Sequence, residues 1–215
     1  TNLEVFARKK TPTIEEYQDI FGMIQNQTER LSHLSEVLLD MTGIQSVERS
    51  DFISLAELTD EVCCDLASIA DQKKVELIQE EGDCTVTGSY LLLYRAVYNL
   101  VENAIKYNHS GGKVTVKISQ KKDLPAAHSK PTDYALVEVT DTGIGISPKF
   151  QEKIFDPFFR VDKSRSRAMG GAGLGLALVN EIARQHGGQV KVLASSKKGS
   201  TIALMLPINS PLIAI

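Results

Sequence analysis

The stretch Asn99-Leu100-Val101-Glu102-Asn103-Ala104-Ile105-Lys106 decides how the chain is read. Its polar members Asn99, Glu102, Asn103 and Lys106 stand at i, i+3, i+4 and i+7, so on a helix they share one face. Leu92, Leu93, Val97, Leu100, Val101, Ala104 and Ile105 cover most of the remaining circumference. A helix apolar around most of its girth is largely buried. Amides, a carboxylate and an ammonium on such a wall need partners, and the adjacent sequence supplies none. A metal-bound polyphosphate meets that need.

Working outward, Ser89 is expected to cap this helix, which runs to about Tyr107 and is ended by Asn108, Ser110, Gly111 and Gly112. Before it, Asp51 to Ser54 reads as a short strand, and Leu55 to Gln72 as a helix with Leu58, Val62, Leu66, Ile69 and Ala70 inward. Val75 to Gln79 and Cys84 to Thr87 are strand-like runs around the turn signal Glu81-Gly82-Asp83. After it, strands around Val114, Val116 and Ile118, and around Leu136, Val137 and Val139, flank a loop from Gln120 to Asp133. Ser147-Pro148 predicts a further helix start. Leu174 to His186 reads as a helix closed by Gly187-Gly188. Strands Val190 to Ala194 and Thr201 to Leu206 follow. Consecutive strands without an intervening helix argue against a doubly wound parallel sheet. The expected fold class is α+β, a two-layer sandwich with helices on one face of a mixed β-sheet, preceded by a long amphipathic helix.

That preceding helix follows a break at Thr11-Pro12, with Thr13 and Glu16 placed as a capping box. Tyr17, Phe21, Ile24, Thr28, Leu31, Ser35 and Leu38 alternate in steps of four and three, the pattern of a coiled-coil seam. Such a face needs the preceding helix or a second copy of itself, which predicts a homodimer. The 215 residues suffice for one good-sized core and an appendage. With a net charge of −3 there is no reason to expect nucleic acid as a partner. The apolar runs are too short to span a bilayer, so a cytoplasmic protein is the default expectation. Cys63, Cys64 and Cys84 fit no zinc or disulfide spacing and read as small buried hydrophobes. From the start at Thr1 without methionine, a piece of something longer is the expectation.

Three further stretches carry candidate chemistry. Asp141-Thr142-Gly143-Ile144-Gly145-Ile146 follows a strand, and reads either as a plain turn or as a loop approaching a flat ligand, with Asp141 accepting from an amine such as adenine's. Gly170-Gly171-Ala172-Gly173-Leu174-Gly175 leads into a helix; it is either a hinge or a phosphate cradle of free N–H groups. Arg160, Lys163, Arg165 and Arg167 just before it form either a solvated loop or a cationic flap over phosphates. Phe155, Phe158 and Phe159 pack the root of that flap or meet a partner domain. His33, His109, His128 and His186 read as ordinary surface histidines.

Taken in order, these motifs resemble the catalytic region of sensor histidine kinases. Asn99 to Asn108 matches that family's N box, Asp141 to Ile146 its first glycine box and Phe155 to Arg160 its F box. Gly171-Ala-Gly-Leu-Gly-Leu176 matches the second glycine box and Gly199-Ser-Thr201 the last. The resemblance covers about Asp51 to Pro207. It implies a Bergerat-type fold binding ATP and Mg²⁺, with Asn99 and Asn103 on the metal. It puts Lys106 and Tyr107 at the phosphates and Asp141 at the adenine. Gly143, Gly145, Ile146, Gly171, Gly173, Leu174, Gly175, Leu176 and Thr201 complete the nucleotide site, and Arg160 and Arg165 are lid arginines. Glu102 sits where related ATPases keep a general base.

Residues 1–46 then resemble the end of the family's dimerisation hairpin, 51–207 its ATP-binding domain, and 208–215 a tail. The family's acceptor motif, His followed by an acid and then Arg/Lys-Thr-Pro, is absent, since Ala7-Arg8-Lys9-Lys10 precedes Thr11-Pro12. The implied function moves the γ-phosphoryl of ATP to a histidine on a hairpin supplied in cis or in trans, then to an aspartate of a response regulator. The implied setting is the cytoplasmic part of a membrane-anchored parent. Two rivals are an ATPase of the same fold driving a conformational cycle and a non-catalytic nucleotide-sensing module.

Overall fold

A computed structural model describes residues 13–24, 28, 47–122, 133–161 and 173–208. Residues 14–24 are helical, opened by the expected capping box: Glu16 N–H donates to Thr13 Oγ1 at 3.3 Å and Thr13 N–H to Glu16 Oε2 at 3.0 Å. Ile14, Tyr17, Phe21 and Ile24 are all exposed on it. The rest of the predicted seam, Leu31, Ser35 and Leu38, lies outside the described residues.

The remainder is built from β1 (Asp51–Ser54), α1 (Leu55–Lys73), β2 (Glu76–Gln79), β3 (Thr85–Gly88), α2 (Tyr90–Lys106), β4 (Lys113–Lys122), β5 (Asp133–Asp141), α3 (Gly175–Gln185), β6 (Gln189–Ser196) and β7 (Gly199–Pro207). The main sheet has the order β2-β4-β5-β7-β6; β2 and β4 run parallel and every other pair antiparallel. The sheet is therefore mixed, and α1, α2 and α3 share one core with its inner face. Opposite them, Leu136, Ala203, Met205 and Tyr134 form a small cluster on the outer face. Among the described residues no helix is long and apolar enough to cross a membrane.

The α2 helix is the keystone of that core. Leu93, Val97, Val101 and Ile105 are fully buried, each stabilising the fold by about 1.5–3 kcal/mol relative to exposure. Helix α1 packs beside it, opened by Ser54, whose Oγ accepts from Glu57 N–H. It is closed by Lys74 in a left-handed conformation at φ 57°.

Several local expectations change. The runs around Glu81-Gly82-Asp83 do not form a hairpin: β2 joins β4, while β3 pairs antiparallel with β1 in a separate two-stranded sheet. Asp83 turns the chain between the sheets, its Oδ1 accepting from Ser54 Oγ, Ala56 N–H and Cys84 N–H. Ser89 occupies the N-cap of α2 without a side-chain cap. The segment after Ser147-Pro148 is two single 3₁₀ turns, Pro148–Phe150 and Lys153–Phe155, rather than an α-helix. Of the cysteines, Cys84 is buried, Cys63 is half-buried and Cys64 is exposed.

Candidate functional site

Helix α2 presents Asn99, Glu102, Asn103 and Lys106 half-buried along one face, as the spacing predicted. The amides find their first partners in their own helix. Asn99 Nδ2 donates to the Arg95 carbonyl at 2.8 Å and Asn103 Nδ2 to the Asn99 carbonyl at 2.7 Å. The stripe is thus less dependent on outside partners than its buried setting suggested. Back-bonding leaves both Oδ1 atoms unclaimed by the described residues. Two neutral hard oxygens one helical turn apart suit a cation such as Mg²⁺ that keeps most of its water. No group of three His, Cys, Asp or Glu among the described residues forms a rival metal site.

Helix α3 closes on that face. A β-carbon on Gly175 would fall 2.5 Å from Asn99 Oδ1 and 3.7 Å from Asn103 Nδ2, so any larger residue there would displace the Asn99 amide. Leu174 at its N-cap is buried and makes no side-chain cap, so among the described residues the first N–H groups of α3 are open to an anion. Just before it, Gly173 at φ +73° packs where a β-carbon would lie 2.7 Å from the Phe159 carbonyl and 3.2 Å from Arg160 Cγ. Its own carbonyl accepts from Phe158 N–H at 2.9 Å. The F-box segment and the glycine turn therefore form one backbone unit.

Arg160 belongs to that unit. Its Nη2 is buried and has no hydrogen-bond partner among the described residues. An orphaned guanidinium nitrogen beside an open helix N-terminus matches a phosphate oxygen in charge and geometry. The Tyr107 phenol lies within the field of Arg160. Burial raises its pKa, Arg160 lowers it and Glu102 raises it again.

The loop after β5 forms the next wall. Ile144 N–H donates to the Tyr107 carbonyl at 3.2 Å, joining the loop to the end of α2. Gly143 sits where a β-carbon would be 2.4 Å from that carbonyl, and Gly145 at φ +70° where one would be 1.7 Å from the Ser196 carbonyl. The half-buried Asp141 carboxylate accepts from Gly143 N–H at 2.7 Å and also from the Ser200 N–H. Burial raises its pKa, and those two hydrogen bonds oppose the rise. Asp141 thus shapes the loop as well as offering an acceptor.

The structure brings Asn99, Asn103, Lys106, Tyr107, Asp141, Gly143, Gly145, Ile146, Arg160, Gly173, Leu174, Gly175 and Leu176 into this region, with Glu102 on the same face of α2. Thr201 does not join them. It pairs across with Thr140, their hydroxyls 3.0 Å apart, in alternation with outer-face Ala203 and Met205. Ser200, one residue earlier, faces the site instead. Gly171 and Arg165 lie outside the described residues.

Other contributors lay outside the predicted site residues. Ser195 Oγ accepts from Ile146 N–H at 2.7 Å and lies 3.0 Å from Ser200 Oγ. Thr142 Oγ1 accepts from Lys113 N–H at 2.8 Å and donates to Asn108 Oδ1 at 3.3 Å. His186, expected at the surface, is half-buried. It holds the Ile182 carbonyl through Nδ1 at 2.8 Å and accepts from Ser89 N–H through Nε2 at 3.1 Å. Burial depresses its pKa, so the imidazole is held neutral.

A mixed sheet covered by helices on one face, with glycine turns and an amide-lined helix meeting beside it, defines a nucleotide-binding domain of the Bergerat type. The family described as histidine kinase-, DNA gyrase B-, and HSP90-like ATPase matches residues 88–210, and the chain belongs to it. Similar proteins include the sensor histidine kinase RppB of Synechocystis, 32% identical over 97% of this chain and 45% of that protein. Another is the sensor-like histidine kinase SenX3 of Mycobacterium tuberculosis, 34% identical over 84% of this chain and 43% of that protein. The chain spans less than half the length of these relatives. Among solved structures, the mycobacterial sensor histidine kinase MprB superposes with a TM-score of 0.58 at 28% identity, covering 74% of this chain and 97% of that one. The histidine kinase AdeS of Acinetobacter baumannii shares the fold, with a TM-score of 0.67 at 20% identity over 97% of this chain and 92% of that one.

Proposed function

We propose that this domain binds Mg-ATP and transfers its γ-phosphoryl to a histidine on a helical hairpin, from which the group passes to an aspartate of a response regulator. The observation that carries the reading is the α2 face, where two unclaimed amide oxygens meet the open N-terminus of α3, with the orphaned Arg160 Nη2 in the adjoining turn. The relatives named as sensor histidine kinases support it.

In this reading Asn99 and Asn103 would hold Mg²⁺, which when bound would offset phosphate charge. Lys106, Tyr107 and the α3 N-terminus take the phosphates, while Asp141 takes the adenine amine. Arg160, with Arg165, opposes charge that develops on the transferring group. Such a reaction needs positioning and electrostatic stabilisation more than covalent help. Glu102 is assigned orientation of the attacking imidazole. The exposed Ile14, Tyr17, Phe21 and Ile24 face is assigned to pairing with a second copy. The setting is the cytoplasmic side of a membrane-anchored parent, where ATP is present.

The test is to mix the chain with a histidine-bearing hairpin of its family and γ-labelled ATP. Label on the hairpin is expected. Steady ATP hydrolysis without transfer, abolished in Glu102→Ala, would establish the ATPase reading instead.

A further inference from the structure

The carboxyl end of α2 terminates against a cation from another helix. Lys73, the last residue of α1, directs its half-buried ammonium into the last turn of α2. It donates to the Ile105 carbonyl at 3.2 Å and to the Lys106 carbonyl. Both lie in the last turn, where a helix runs short of backbone donors; the Ile105 carbonyl also accepts from Asn108 N–H at 3.2 Å. Lys73 is itself held in place by its backbone neighbour. The next residue, Lys74, closes α1 through its N–H to Ala70 and Asp71, and its carbonyl accepts from Gly111 N–H at 2.7 Å.

What lies immediately beyond those carbonyls is the nucleotide wall. Tyr107 takes the Ile144 N–H, and Asn108 takes the Thr142 hydroxyl while donating through Nδ2 to the Lys113 carbonyl at 3.0 Å. A helix C-terminus also carries roughly half a negative charge, which would repel phosphate groups brought beside Lys106. A fixed ammonium at that end both sets the backbone and offsets the charge.

We propose that Lys73 is a positioning residue for the nucleotide's phosphates, acting through the carbonyls of Ile105 and Lys106 on the placement of Lys106 and Tyr107. This rests on the nucleotide reading above. It makes a selective demand: Lys73 serves the phosphate end of the site and not the adenine end around Asp141. Burial lowers the Lys73 pKa, as expected for an ammonium whose contacts are neutral carbonyls.

Calorimetric titration of the chain with ATP, ADP and adenosine in the presence of Mg²⁺ tests this, with thermal unfolding followed in parallel. Lys73→Met is expected to weaken ATP and ADP by about tenfold and leave adenosine unchanged. Lys73→Arg, which keeps charge and donors, is expected to restore ATP binding. Should the methionine variant unfold, Lys73→Gln, with donors but no charge, is expected to show the same selective loss. Wild-type ATP affinity in the uncharged variants, or equal losses of ATP and adenosine from a folded variant, would overturn the proposal. A wild-type chain that bound none of the three would instead overturn the nucleotide reading.

Discussion

Gly175 and Asn99 meet where α3 comes down on α2, so closely that a β-carbon on the glycine would lie 2.5 Å from the asparagine Oδ1. The contact sets the start of the glycine-led helix against one of the two amides assigned to the metal. Gly175→Ala is therefore expected to divide stability from function. Alanine is the better helix former by about 1 kcal/mol, which at this first helical position works against the clash. The displaced Asn99 amide is expected to cost about tenfold in Mg-nucleotide affinity. Titration with Mg-ATP beside a urea melt reads both. Unchanged affinity would show that Asn99 tolerates displacement.

Asp141 is given two tasks, holding the loop through Gly143 and Ser200 and accepting from the adenine amine. Asp141→Asn separates them, because the amide oxygen still accepts backbone N–H groups while its NH₂ cannot accept from adenine. Preference for ATP over GTP is expected to fall by about tenfold, the scale of one lost hydrogen bond to a charged group. Competition between the two nucleotides measures it.

His186 ties the end of α3 to the start of α2 as a neutral ring, receiving the Ser89 N–H on Nε2. Arg49, whose guanidinium reaches Gln185 at 3.2 Å, opposes a positive ring as well. Its folded pKa lies below the ordinary value of 6.5. The linked stability is thus complete above pH 6.5 and is lost as pH falls below it. Urea midpoints are expected to drop between pH 7.5 and 5.5 in the wild type. In His186→Leu that His-linked decline should disappear, alongside a constant cost of about 1–3 kcal/mol for the unsatisfied Ser89 N–H.

Much of this was legible in the sequence because it is periodic. The α2 face, the inward Leu58, Val62, Leu66 and Ala70 of α1 and the alternating Val114, Val116 and Ile118 of β4 follow from spacing, since burial repeats with the helix or the pleat. Ile69, expected inward on α1, is exposed. Pairing is not periodic. Nothing local tells Glu76–Gln79 to join β4 while Thr85–Gly88 joins β1. Thr201 was misplaced for a similar reason: motif position does not reveal which face of a strand a residue takes, and a shift of one residue reverses it. Ser195, Lys73 and His186 each bond backbone far away in sequence, at Ile146, at Ile105 and Lys106, and at Ser89, and such contacts leave no pattern in their own neighbourhood.

The central claim is that the amide face of α2 binds a metal-bound nucleotide, and Asn103 tests it most directly. Titration of wild type and Asn103→Ala with ATP, each with and without Mg²⁺, is the measurement. Because among the described residues its side chain only back-bonds to Asn99, removing it should leave unfolding nearly unchanged. The expected result is tight binding by the wild type only with Mg²⁺, and loss of that Mg²⁺-dependent gain in the variant. Equal Mg²⁺-dependent binding by both proteins would contradict the account.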